Sequence, residues 1–255
     1  MRSEPGECVG DIFCGSGTTL VESLSLGRCA VGVDANPLAC LISEAKTARL
    51  TAEDRRLLEE LIARARGLAS EIGLTTSGLF AAQENFVSNA PRPQSKALTF
   101  WFEPFVIEEL AEALAWCDAL PSVIANKVAR VALSAIIVAV SKQDSDTRYV
   151  RREKRISPGG TLLRFARSLT NTIEAISEFN RSLKPEVNCH VHNADVLTKP
   201  DIGTIDLIVC SPPYPNAYSY HLYHMTRMLW LGMDQPKFKR EEIGSHRKYS
   251  SRGAK

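Results

Sequence analysis

A short apolar run, Cys8-Val9-Gly10-Asp11-Ile12-Phe13, passes directly into Cys14-Gly15-Ser16-Gly17. Residues 18–26 then carry helical periodicity, with Gly27 placed to end the helix. A second apolar run, residues 29–33, stops at Asp34, and Asn36-Pro37 opens another helix with proline in its first turn. Strand, helix, strand and helix in such close succession demand parallel strands, because a strand returns parallel only through a crossover. The pattern predicts an α/β fold with a doubly wound sheet.

The rhythm then breaks. Thr51-Ala52-Glu53-Asp54 reads as a capping box opening a helix to about residue 72. Pro91-Arg92-Pro93 marks a loop, residues 103–120 and 125–140 read as helices, and Ser157-Pro158-Gly159-Gly160 is a turn before a helix over 161–183. Strand signals resume at 187–192 and 205–210, the latter running into Ser211-Pro212-Pro213-Tyr214, and residues 219–231 read as one helix. The expected organisation is therefore a first half of the sheet domain over 1–50 and a helical insertion between the second and third strands over 51–185. The rest of the sheet domain comes next, over 186–232, and a poorly ordered basic polar tail over 233–255.

Charged residues make up 24% of the chain and the formal charge is +2, so bulk charge does not argue for a polyanionic partner. Local charge does: Arg148, Arg151, Arg152, Lys154 and Arg155 fall within eight positions. The seven cysteines include no CxxC pair and read as free thiols in a reducing compartment, with Cys210 as a buried strand residue. The N-terminus is no signal peptide, and the most apolar stretch, 128–140, is shorter than the roughly 20 residues a bilayer needs. The expectation is a cytoplasmic protein without a membrane partner.

Ligands of doubly wound sheets sit at the carboxyl ends of the strands. The Gly15-Ser16-Gly17 turn lacks the third glycine of a dinucleotide fingerprint and the Gly-Lys of a P-loop. Asp34 ends the second strand, where its carboxylate can accept hydrogen bonds from both ribose hydroxyls of a nucleoside. Asn193-Ala194-Asp195 ends the third and can receive an adenine amine. Each has a plainer alternative: the glycines as an ordinary turn, Asp34 as a helix cap, Asp195 as a turn cap. Ser211-Pro212-Pro213-Tyr214 joins a small hydroxyl, a rigid turn and an aromatic ring, which suits a flat base bearing an exocyclic amine. His221 and His224 lie three apart without an evident third metal ligand, so no metal is expected and both read as solvent or pocket-rim positions.

Together these segments resemble the S-adenosylmethionine-dependent DNA methyltransferases that modify exocyclic amines, N4 of cytosine or N6 of adenine. The resemblance is specific over residues 8–46 and 187–232 and only general between them. Asp11-Ile12-Phe13-Cys14-Gly15-Ser16-Gly17-Thr18-Thr19 is similar to the family's cofactor motif. It implies S-adenosylmethionine contacts at Asp11, Phe13, Cys14, Gly15, Ser16, Gly17 and Thr18, with Asp34 and Asp195 matching the acidic positions of the next two motifs. Ser211, Pro212, Pro213 and Tyr214 resemble the catalytic motif, whose Ser form is associated more with cytosine N4. The resemblance implies a Rossmann-like methyltransferase sheet, a DNA partner, base flipping and a setting in DNA methylation and restriction–modification. Pro215, Asn216, Tyr218 and Tyr220 read either as pocket wall or as plain helix packing. The insertion, where a specificity element is needed, makes the 148–155 cluster a candidate phosphate-binding surface. Cytosine C5 chemistry is disfavoured because no Pro-Cys dipeptide exists. Alternatives are an RNA or protein amide-nitrogen methyltransferase, or a non-catalytic subunit.

The chain also departs from the family. A cofactor-binding segment beside the first strand and about three later strands have no counterpart. The sheet is therefore expected to be incomplete, as in a truncated open reading frame or in one half of a split enzyme, where a complementary polypeptide would supply the missing strands.

Overall fold

The computed structural model describes residues 3–77, 86–145, 148–214 and 219–243. In chain order the elements begin with β1 (Cys8–Asp11), α1 (Thr18–Ser25), β2 (Cys29–Asp34) and α2 (Pro37–Thr47). Next come α3 (Ala52–Ser77), α4 (Ala97–Trp101), α5 (Pro104–Asp118), α6 (Val123–Val140), β3 (Gln143–Ser145), β4 (Arg148–Arg151) and α7 (Gly160–Ser182). The chain continues with β5 (Cys189–Asn193), β6 (Leu207–Ile208), α8 (Tyr220–Tyr223), α9 (Met225–Trp230) and α10 (Gln235–Glu241). Two compact units result. One comprises the chain to Arg49, Ile176–Met228 and the residues from Met233; the other comprises Leu50–Ala175 and Leu229–Gly232.

The first unit is α/β, built on a four-stranded parallel sheet in the order β5-β2-β1-β6, consistent with a Rossmann-like methyltransferase fold. Parallel strands buried on both faces need continuous apolar runs, and Cys29–Asp34 supplies one with four successive buried residues. Leu20 and Leu24, one turn apart on α1, pack with Cys14, Ala30 and Val187 in the core, against Phe179 of α7 and Leu183 just after it. Asn36 caps α2 by accepting from the Leu38 N–H at 3.0 Å, and Pro37 sits in the first turn, where its missing N–H is harmless. At the sheet's other side β6 is short. Ile208 and Val209 are 55% and 46% exposed, and Cys210 is exposed rather than buried, contrary to expectation. The physical reason is the strand order: β6 is an edge strand, with no neighbour beyond it among the described residues.

The second unit is helical around α6. Ser122 caps this helix by accepting from the Ala125 N–H at 3.2 Å. At Val123–Val140 it is longer than the apolar stretch expected, long and apolar enough to cross a membrane by length and composition. Yet Val128, Ala132, Leu133, Ile137 and Val140 are buried in the fold. Around it lie Leu58 and Ala65 of α3, Val106 and Leu110 of α5, and Leu162, Phe165 and Leu169 of α7, all fully or nearly fully buried. The capping box forms: Thr51 Oγ1 accepts from the Asp54 N–H at 3.1 Å, and Asp54 accepts in return from the Thr51 N–H at 2.9 Å. The hairpin of β3 and β4 and the short α4 are additional to the sequence expectation.

Two corrections concern the C-terminal segment. The single helix expected over 219–231 is two, α8 and α9, parted at His224. The tail expected to lack order from residue 233 instead forms α10, with Asp234 accepting from the Lys237 N–H at 2.8 Å and a proline in the first turn. Beyond residue 243 the tail lies outside the described residues, as do Pro215, Asn216 and Tyr218.

Candidate functional site

The glycine turn is held from three sides. The Cys14 N–H donates to the Val33 carbonyl at 3.1 Å, and the Gly17 N–H to the Cys14 carbonyl at 2.8 Å. From α2, Ser43 Oγ donates to the Gly15 carbonyl at 2.8 Å and Lys46 Nζ to the Ser16 carbonyl at 2.9 Å. Gly17 has φ +82°, and a Cβ there would sit 2.8 Å from Ser43 Oγ and 3.2 Å from the Ser43 Cα, so both conformation and space require glycine. A Cβ at Gly15 would meet nothing within 4 Å, so the space on that side of the backbone is open. Ser43 and Lys46 escaped the sequence reading because their task is visible only once α2 lies against the turn.

Asp34 joins strand end to turn. Its Oδ2 accepts from the Gly15 N–H at 2.9 Å and its Oδ1 from the Asn36 N–H at 2.8 Å. The cap role and the turn role thus coexist on one carboxylate, and each oxygen keeps a further lone pair. Burial raises its pKa, while the Asn36 and Gly15 N–H groups pull it down. Asp195 accepts from the Leu197 N–H at 2.9 Å, capping a single 3-10 turn over Val196–Thr198. The Ala194 N–H donates to the Asp34 carbonyl at 3.1 Å, so the ends of β2 and β5 are tied together.

A cavity of about 520 Å³ opens at these strand ends. Phe13, Gly15 and Ser16 line it from the turn, Asp34 from β2 and Asp195 from the segment after β5. Ser211 and Pro213 line it from beyond β6. Four separated pieces of sequence therefore converge, as the carboxyl ends of a parallel sheet should. Other expected residues stand outside the lining. Asp11 is buried under the turn, accepting from the Phe13 N–H at 3.0 Å. Cys14 is a core residue whose thiol pKa burial pushes far up. Gly17 is buried and Thr18 exposed, while Pro212 is exposed and Tyr214 is 74% exposed.

The cavity also takes a wall that no motif announced. Tyr220, His224 and Arg227 line it from α8 and α9, and Phe238 and Glu241 from α10. Tyr220 stacks on His224, with ring centroids 6.1 Å apart. His221, expected at a rim, is instead 2% exposed and pairs with Glu242. The order in α10 explains the difference, because Glu242 comes directly after that helix.

In the second unit the basic cluster falls on and after the hairpin. Arg148 and Arg152 lie 3.4 Å from Asp144, and Arg151 lies 3.1 Å from Glu153 with its guanidinium 5.3 Å from the Phe100 ring centre. Lys154 turns inward and donates to the Val138 carbonyl near the end of α6 at 2.6 Å. Arg155 is exposed. All seven cysteines are free.

A family model described as DNA methylase, of the N6/N4 type, matches residues 1–45, which take in β1, the glycine turn, α1, β2 and most of α2. The type II methyltransferase M.BsoBI of Geobacillus stearothermophilus is 25% identical over 265 aligned positions that take in 92% of this chain. The type II methyltransferase M.MjaII of Methanocaldococcus jannaschii is 30% identical over 69 residues, 27% of this chain. The chain spans 49% and 13% of those relatives' respective lengths. No solved structure matches it significantly. In sequence the chain is thus similar to DNA methylases of the N6/N4 type over residues 1–45 and, at 25% identity, to a type II methyltransferase over most of its length.

Proposed function

We propose that this chain carries the catalytic part of an enzyme that transfers a methyl group from S-adenosylmethionine to an exocyclic amine in DNA, cytosine N4 ahead of adenine N6. The observation that carries the reading is the cavity lined jointly by Gly15, Asp34, Asp195, Ser211 and Pro213. Its volume suits a nucleoside with an amino-acid arm. Asp34 keeps acceptor capacity for ribose hydroxyls, and the space around Gly15 admits a ligand close to the backbone. Asp195 is in reach of the same cavity to receive an amine. When bound, S-adenosylmethionine supplies a methyl group on a sulfonium.

An aromatic amine is a poor nucleophile because its lone pair is delocalised. The Ser211 hydroxyl and the Pro212 carbonyl accept the two amino hydrogens, which pyramidalises the nitrogen and aims its lone pair. Methyl transfer to that nitrogen would form the N–C bond as the donor's S–C bond breaks, leaving a thioether, and one amine proton would pass to water. No acid or base of unusual strength is required; positioning supplies the rate. Tyr214, largely exposed, is free to stack on a base that has left the duplex. The segments 1–50 and 186–232 supply this chemistry and the insertion 51–185 the DNA contacts. The β6 edge, without a further neighbour among the described residues, receives strands from a complementary polypeptide.

The test is methyl transfer from radiolabelled S-adenosylmethionine to mixed-sequence DNA, followed by mass analysis of the nucleosides. N4-methylcytosine is expected, and N6-methyladenine would transfer the reading to the other base. Pro212→Ala and Tyr214→Ala are expected to lower turnover at least about a hundredfold while sparing cofactor binding. A fully active Tyr214→Ala protein would remove that ring from the mechanism.

A further inference from the structure

The helices after the Pro-Pro turn bring charges into the cavity that the glycine turn and strand ends do not explain. Arg227, on α9, and Glu241, the last residue of α10, both line it. Among the described residues that line the cavity, Arg227 is the one Lys or Arg. The wall they stand on is firmly fastened. Glu242 is 4% exposed; its Oε2 lies 2.5 Å from His221 Nδ1 and its Oε1 accepts from the Tyr220 N–H at 2.6 Å. Gln235 Nε2 donates to the His221 carbonyl at 3.0 Å, tying the start of α10 to α8 as well. A carboxylate and an imidazole buried to this degree strongly favour staying paired, since separating them strands a desolvated polar group. Residues 235–242 are therefore a fixed wall.

The cavity thus has two kinds of lining. Asp34, Gly15 and Asp195 offer acceptors and close backbone, which suits a nucleoside. They offer no cation. A zwitterionic amino-acid arm needs the opposite pairing: a guanidinium for its carboxylate, which arginine can grip through two parallel N–H bonds, and a carboxylate for its ammonium. We propose that Arg227 and Glu241 form the subsite for the amino-acid end of S-adenosylmethionine, with the His221–Glu242 pair as the latch that positions it. The inference rests on the methyl-donor reading above and assigns to α9 and α10 a part of the binding that no motif in the chain carries. Glu241 also lies 4.0 Å from Lys237 Nζ, a weak pair that a bound ammonium can replace.

The experiment compares two ligands on the full chain by isothermal titration calorimetry: S-adenosylhomocysteine, which has the amino-acid arm, and 5′-methylthioadenosine, which lacks it. Wild type is expected to bind the first at least about tenfold more tightly. Arg227→Gln is expected to erase most of that difference by weakening S-adenosylhomocysteine alone, and Arg227→Lys to restore part of it. His221→Gln, which loosens the latch, is expected to act in the same direction. Asp34→Ala, in contrast, should weaken both ligands. Equal affinities in wild type, or an Arg227→Gln protein in which both ligands weaken alike or neither changes, would overturn the subsite while leaving the methyl-donor reading in place. Binding of neither ligand by wild type would overturn both.

Discussion

Glu109 shows how a single side chain can set where a helix begins. It is 1% exposed, and its carboxylate accepts from the backbone N–H groups of Gly159, Thr161 and Leu162 at 2.7, 3.0 and 3.3 Å, taking up unsatisfied donors at the start of α7. Burial raises its pKa from the ordinary 4.5, and the three N–H groups pull it partly back. With the folded value raised, the native state holds the proton more tightly than the unfolded chain. Its contribution is therefore greatest at low pH and declines as pH climbs from the ordinary carboxylate value through the raised one. Glu109→Gln turns a donor toward Thr161 and Leu162 and should cost about 1–3 kcal/mol. Urea denaturation at several pH values checks this: the gap between wild type and variant should narrow as pH rises, and a gap that widened would contradict it. Nothing in the sequence pointed to this residue. Position 109 lies on the periodic apolar face of α5, and its partners come some fifty residues later.

Among elements, the hairpin of β3 and β4 is where charge and exposure meet. Arg148 and Arg152 are 72% and 74% exposed and share one counter-ion, Asp144. If the hairpin contacts phosphates, each of Arg148→Ala and Arg152→Ala should reduce the slope of log affinity against log salt by about 1. Asp144→Asn, by releasing both guanidinium groups, should strengthen binding to any sequence. Fluorescence anisotropy on a random duplex across salt concentrations measures both effects. Unaltered slopes in both arginine variants would remove the hairpin from the DNA surface. Lys154→Ala should leave the slope unchanged, since its ammonium is engaged by α6.

The elements also divide by how they announce themselves. β1, α1, β2 and α2 were legible because apolar period, glycine turn and Asn36-Pro37 cap agree within each segment. The hairpin was not: Gln143-Asp144-Ser145 has no alternation, and it is fixed by the Lys142 N–H donating to the Trp101 carbonyl at 2.7 Å. α10 was hidden by its charges, although Asp234 and Pro236 are a readable start signal. In the site the strand-end carboxylates were visible as spacing. The wall from α8 to α10 depends on the buried His221–Glu242 contact, which no local pattern encodes.

At the scale of the whole chain, the sheet ends, among the described residues, in β6 with Ile208 and Val209 exposed. Open apolar edges invite pairing with other chains. Sedimentation velocity should therefore show concentration-dependent self-association of wild type, and Ile208→Lys should diminish it, because a lysine at an edge opposes strand addition. Self-association unaffected by Ile208→Lys would locate the contact elsewhere.

The same sheet sets a timetable for synthesis. β1 and β2 pair at short range, Cys8 with Cys29, but the neighbour of β2 on its other side is β5, Ala30 facing Cys189, and the neighbour of β1 is β6, Val9 facing Leu207. Between Asp34 and Cys189 the ribosome must add 155 residues (189 − 34), taking on the order of ten seconds at ordinary elongation rates. Through that interval the glycine turn, Asp34 and both edges of the nascent pair are already made and have nothing to close on. Chaperone occupancy, and the speed at which ribosomes translate the helical block, should then govern the yield of native protein more than the stability of the finished sheet.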